Sequence, residues 1–182
     1  MKGRKVEIRG IRKEDLPLLL DMINDPVINN MTVGESKKVS MQEQEAWFER
    51  YLQSGANNRF IIKNKDDGAV GTIIITDIDE VNRSCGLAIK LSEGRISSPG
   101  VGIDAFMVML RYCFEDLKMH RVTANAIDYN KASLNLQSRC GMKKEGVLRQ
   151  AAFKNGEFHD VIITSMLDTE YRQFIEIEKY WD

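Results

Sequence analysis

Residues 103–118 (IDAFMVMLRYCFEDLK) read as a helix that is apolar on nearly every side. Ile103, Phe106, Leu110, Cys113 and Leu117 mark one face, and Met107, Val108 and Met109 make its middle apolar almost all round. Such a helix has to be covered. It falls short of the ~20 apolar residues that cross a bilayer, so the cover is protein, and a sheet is the expected partner.

Strand candidates lie on both sides of it. Residues 6–9 alternate apolar and polar, 59–63, 69–77 and 84–91 follow, then 121–127, 144–153 and 157–167. Asp66-Asp67-Gly68 and residues 79–83 join the second to fourth as hairpins, and Asn155-Gly156 is a strong turn signal between the last two. Three further helices are expected. Leu16, Leu19, Leu20 and Ile23 are spaced for one face, which Asn24-Asp25-Pro26 ends; residues 27–39 read as irregular. Ser40 and Glu43 form a capping box ahead of Trp47, Phe48, Tyr51 and Leu52, and Asn130 caps a helix that Gly141 terminates. The outcome is an α/β (α+β) fold: a mixed, mostly antiparallel sheet of about seven strands flanked by about four helices, in a single domain over 1–182.

Composition narrows the function classes. With 26 basic and 27 acidic residues the net charge is -1, which removes the whole-chain electrostatic case for nucleic acid or an anionic membrane. No secretory h-region stands at the N-terminus, and Cys85, Cys113 and Cys140 are never in CxxC. They read as buried thiols of a cytoplasmic protein, and no metal cluster is expected.

Ser97-Ser98-Pro99-Gly100-Val101-Gly102 lies between the fourth strand and the covered helix. Glycines there let backbone approach a ligand, and the helix start offers unpaired N–H groups to a phosphate. A plain turn is the competing reading. Gly100, Gly102 and Ala105 also spell a dinucleotide fingerprint, but that motif needs the strand to run straight into the first glycine within a parallel unit. Here Leu91 is nine residues away and antiparallel hairpins precede the loop.

Hairpin strands, a G-x-G loop, a covered helix, a strand, an Asn-capped helix and a last hairpin, in that order, resemble the GCN5-related N-acetyltransferase (GNAT) superfamily. The similarity is to the branch with ribosomal-protein-alanine, diamine and amino-sugar acetyltransferases. It is carried by residues 11–25, 43–52, 70–79, 82–89, 110–122 and 130–167, with Glu170-Tyr171. The resemblance implies acetyl-CoA as cosubstrate. Its pyrophosphate would lie on backbone N–H groups of Ser98 to Asp104, including Gly100, Val101, Gly102 and Ile103, with Ser97 at the edge of the same site. Its pantetheine arm would pair with Ile89 and Leu91, with Asn130 as a further contact or only a helix cap. The Ile89 N–H would steady the oxyanion while an amine attacks the thioester directly.

Three positions depart from the family pattern. Ser97 stands where the loop usually has Gln or Arg, with Arg95 close enough to substitute. Gly86 replaces the frequent fourth-strand Glu, and Gln137 replaces the Tyr that serves as general acid. His159 in the last hairpin is a candidate base or substrate contact. His120 reads as a structural, partly buried residue, and Asp77, Asp79 and Glu80 as a solvated turn. The implied function is N-acetylation of a small-molecule or peptide amine, such as a protein N-terminus, amino sugar or polyamine, by a monomer or homodimer. The alternative is a CoA-binding module with little turnover, serving as a sensor or interaction protein.

Overall fold

The computed structural model describes residues 1–34, 37–95 and 99–181. In chain order the elements are β1 (Val6–Gly10), α1 (Leu16–Asn24), α2 (Pro26–Asn30), α3 (Met41–Gln53), β2 (Arg59–Asn64), β3 (Gly68–Asp79) and β4 (Ser84–Leu91). They continue as α4 (Val101–Arg111), β5 (Arg121–Ile127), α5 (Lys131–Arg139), β6 (Lys143–Lys154), β7 (Glu157–Leu167) and α6 (Asp168–Glu178). All seven expected strands form one sheet in the order β1-β2-β3-β4-β5-β7-β6. Every neighbouring pair is antiparallel except β4–β5.

Two helices were not anticipated. Pro26 stops α1 but also starts α2, because Asp25 takes an extended conformation and its carboxylate accepts the N–H groups of Val27 and Ile28. Proline at the first helical position lacks only an N–H that has no partner there anyway. The other is α6, which packs Tyr171 into the core against Phe114, ring centroids 5.0 Å apart. The covered helix is also shorter than expected: α4 ends at Arg111 and a π-helical turn, Tyr112–Asp116, completes it.

Alternation sorts the layers. Phe60, Ile62, Ile73, Ile75, Cys85 and Leu87 share one core with Phe106, Met107, Val108, Met109 and Leu110 of α4. Each such buried side chain contributes about 1.5–3 kcal/mol. The intervening residues of β2, β3 and β4 therefore point to the opposite face, where α1 packs on β3 and α3. Arg59 of β2 lies on that face, under Trp47 of α3 at 5.6 Å. A small second core of Ile127, Ala152 and Val161 gathers Val33, Tyr129 and Ile163. Cys85, Cys113 and Cys140 are all buried free thiols. Among the described residues no helix is long and apolar enough to cross a membrane.

Candidate active site

The sheet is split at its centre. β4 and β5 pair only over Ser84–Arg121, Cys85–Val122 and Gly86–Thr123; beyond that rung the two parallel strands part. Leu87–Leu91 therefore bonds β3 on one side and presents an open backbone edge on the other. Two contacts fix which residues face the split. The Lys90 carbonyl lies so close to Gly71 that a β-carbon there would strike it, so even-numbered positions of β4 address β3. The Cys85 carbonyl instead accepts the Thr123 hydroxyl at 3.2 Å, so odd-numbered positions address β5. By this alternation the backbone groups of Ile89 and Leu91 face the gap.

The N-terminus of α4 stands at the open end of the split. Gly100 caps it in the left-handed conformation (φ 85°), which a side chain would strain, and no side chain caps the helix. Asp104 N–H donates to the Gly100 carbonyl at 3.0 Å, so the amides ahead of it, of Val101, Gly102 and Ile103, are those left without an intrahelical partner. This corrects the expectation for Asp104. Its amide is engaged within the helix, and its buried carboxylate accepts the amides of Arg4, Lys5 and Val6 and the Tyr180 hydroxyl. Asp104 anchors β1 and the C-terminal segment. Burial, reinforced by that carboxylate, raises the Tyr180 phenol above its ordinary pKa.

Gly102 is small for packing: a β-carbon would sit 2.9 Å from both Leu91 and Leu136. Ser97 and Ser98 lie outside the described residues. Lys5, which nothing in the sequence singled out, reaches this loop; its ammonium donates to the Pro99 carbonyl at 2.6 Å. Arg95 instead pairs with Asp21 of α1 at 3.0 Å, with both side chains substantially exposed.

Gln137 has structural work. It is buried, its amide donates to the Ser133 hydroxyl at 3.1 Å and the Asn125 carbonyl at 3.4 Å, and its oxygen accepts from Thr164 at 2.9 Å. Those bonds tie α5 to β5 and β7, in place of the sulfur contact that the Tyr position implied. Asn130 caps α5 through Ser133 N–H at 3.0 Å, while its amide holds the Met31 carbonyl at 2.9 Å. His120 is exposed rather than partly buried; its backbone N–H, donating to Arg83, makes the junction.

On the face opposite α4, the walls of the split are open. Ala88 of β4 and Asn125 of β5 are exposed there, with Trp47 and Tyr51 stacked nearby on α3 at 5.5 Å. His159 lies further along β7, its ring edge-on to Tyr129 at 4.8 Å and its Nδ1 3.8 Å from Asp128. Tyr129 in turn donates to the Asn30 carbonyl, closing the α2 loop over this end.

Asp77 is exposed, as a solvated turn requires, but its backbone gives it a further position. A bulge between Thr76 and Asp79 breaks the β3–β4 register, and Asp77 takes φ 49°. The twist turns its carboxylate toward Gly86: a β-carbon at Gly86 would meet Asp77 Oδ2 at 3.5 Å and collide with the Thr76 hydroxyl. The seat left vacant on the fourth strand is thus occupied from the third. No motif announces this, because a bulge has no fixed sequence signature.

Comparison with known proteins identifies the family and the fold. The profile of the acetyltransferase (GNAT) domain family matches residues 5–143, and the chain belongs to that family. It is an acyltransferase that uses acetyl-CoA as cosubstrate. It is 27% identical over 169 residues to the SPbeta prophage-derived uncharacterized N-acetyltransferase YokL of Bacillus subtilis, covering 93% of each chain. It is 22% identical to the spermidine N(1)-acetyltransferase of Vibrio cholerae, over 92% of this chain and 95% of that one. The crystal structure of the Vibrio cholerae spermidine N-acetyltransferase with CoA and spermine superposes with a TM-score of 0.84, covering 92% of this chain and 98% of that one. At 22% identity that likeness establishes the fold.

Proposed function

We propose that this N-acetyltransferase acetylates a primary amine by direct attack in a ternary complex, the donor in the β4–β5 split and the amine on the α1–α3 face. The observation that carries this is the split itself: an open strand edge at Ile89 and Leu91 beside an uncapped helix start. Both features suit acetyl-CoA, whose amides need a strand-like partner and whose pyrophosphate needs an N–H cradle. Bound there, the cosubstrate supplies an activated thioester carbonyl.

The chain's own groups do the rest. Leu91 and Ile89 hold the pantetheine arm by their backbone, and Val101, Gly102 and Ile103 with Lys5 receive the phosphates. The Ile89 N–H, fixed before the reaction, stabilises the oxyanion as the amine adds. Asp77 accepts the amine proton, directly or through one water, from its position over Gly86. A thiolate, with thiol pKa ~8.5 as a guide, leaves without a strong general acid, so engagement of Gln137 elsewhere does not stop turnover. His159 borders the acceptor and contacts it rather than the thioester.

The chain works in this reading as one acetyltransferase unit over 1–182, and its three buried free thiols suit a reducing, cytoplasmic setting. The non-catalytic alternative is not favoured. A thiol-release assay with acetyl-CoA and a panel of primary amines tests the proposal. Acceptor-dependent release is expected; binding of acetyl-CoA with no release for any amine would overturn it.

A further inference from the structure

Within the acetyltransferase reading just given, the acceptor face carries an unexpected charge. Lys90 lies on β4 one position beyond Ile89, paired across to Thr72, so its side chain projects on the α1–α3 side of the split. It is partly buried, and among the described residues no hydrogen bond or ion pair neutralises its ammonium. Two further cations stand beyond it, Arg59 level with Ala88 across β3 through Ile74 and Lys154 at the last hairpin. Arg59 of β2 stands over Trp47, and Lys154 of β6 reaches the Asn29 and Gly34 carbonyls at 3.1 and 2.7 Å. Burial, then the like charges of Arg59 and Lys154, push the Lys90 ammonium below the ordinary lysine pKa.

A fold does not gain by gathering three cations over a half-buried surface. Such a group is stabilised when an anion arrives, and repels a polycation. Among the described residues, the carboxylate that stands against the fourth strand at Gly86 is Asp77, four residues or about 13 Å down β4 from Lys90. At the last hairpin, which also carries Lys154, Asp128 faces His159 and Asp160 accepts the Gln150 amide. Among the described residues, the β4 strip thus has a carboxylate at Gly86 and an ammonium at Lys90, with exposed Ala88 between them.

We infer that the acceptor is an amine that also bears a phosphate or carboxylate, its amino end directed toward Asp77 and its anion held by Lys90 within the field of Arg59 and Lys154. Lys90 is then a specificity-determining residue. The substrate class differs from the polyamine in the names of the Vibrio cholerae relatives.

Matched amines separate this from the broader proposal. Thiol release is measured with ethanolamine against O-phosphoethanolamine, glucosamine against glucosamine 6-phosphate, propylamine against β-alanine, and spermidine. Within pairs the anionic member should have at least roughly tenfold higher kcat/KM, carried by KM and eroded by salt. Spermidine should be the poorest. Lys90→Ala should collapse the ratio and Lys90→Glu should reverse it, with acetyl-CoA affinity serving as the control for folding. If neutral amines or spermidine are acetylated as well as the anionic ones, or if Lys90→Glu leaves the ratio unchanged, this inference falls and the acetyltransferase proposal stands. If no amine supports release although acetyl-CoA binds, both fall together.

Discussion

The two faces of the β4–β5 split are built from different materials. Toward α4 the site is backbone: the Ile89 and Leu91 edge, the left-handed Gly100 and the first amides of the helix. Toward α1 and α3 it is side chain: Asp77 from β3, Lys90 from β4, Arg59 from β2, Lys154 from β6. Backbone geometry tolerates sequence change, because any residue supplies an N–H. Side-chain constellations do not. The proposed donor side can therefore outlast wide sequence change, whereas the proposed acceptor side depends on a few particular side chains.

That contrast can be broken most sharply at Ile89. Its N–H faces the gap and not β3, so Ile89→Pro removes the proposed oxyanion donor without deleting a ladder bond. The expected result is a fall in kcat of about 10²–10³-fold, well beyond any weakening of acetyl-CoA binding, with the circular dichroism spectrum retained. Unchanged kcat would remove the backbone from the chemistry. Next is Asp77→Asn, which keeps the shape and removes the proton acceptor. A loss of roughly 10² in kcat is expected, largest at low pH where less free amine is present. An unaltered pH–rate profile would return Asp77 to the solvated turn that the sequence suggested.

Smaller effects sharpen the donor side. Gly100→Val strains a position at φ 85°; a rise in acetyl-CoA Kd of about tenfold is expected from ~1–2 kcal/mol of strain. The preference among amines should not move, because that preference belongs to the other face. Gln137→Leu removes the shorter of the buried Thr164 hydroxyl's bonds to oxygen, leaving it the Ala124 carbonyl at 3.3 Å. It should cost about 1–3 kcal/mol of stability by denaturant titration, while kcat changes little. A large loss of kcat with stability intact would restore the catalytic role that its place in the family pattern implied.

What could be read from sequence follows the same divide. All seven strands, the Ser40–Glu43 capping box, the Asn130 cap and the left-handed Gly141 are local events whose residues lie within a few positions of one another. The G-x-G loop was readable for that reason too. α2 was missed because Asp25-Pro26 ends one helix and begins another, and the stop signal masked the start. Asp104 misled because a residue at a helix start offers both an amide and a carboxylate. Only the fold shows the amide bonded to Gly100 and the carboxylate under β1. Asp77, Lys5 and the cations around Lys90 were unreadable for a further reason. Their meaning depends on a bulge, a strand register and contacts between residues as far apart as 5 and 99.

The most direct test is amide hydrogen exchange of the whole chain, resolved by residue, with and without acetyl-CoA. Slowed exchange at Ile89, Leu91, Val101, Gly102 and Ile103 is predicted, with Asp104, already bonded to Gly100, changing little. Binding of acetyl-CoA with no protection at Ile89 or Leu91 would contradict the split as the donor site.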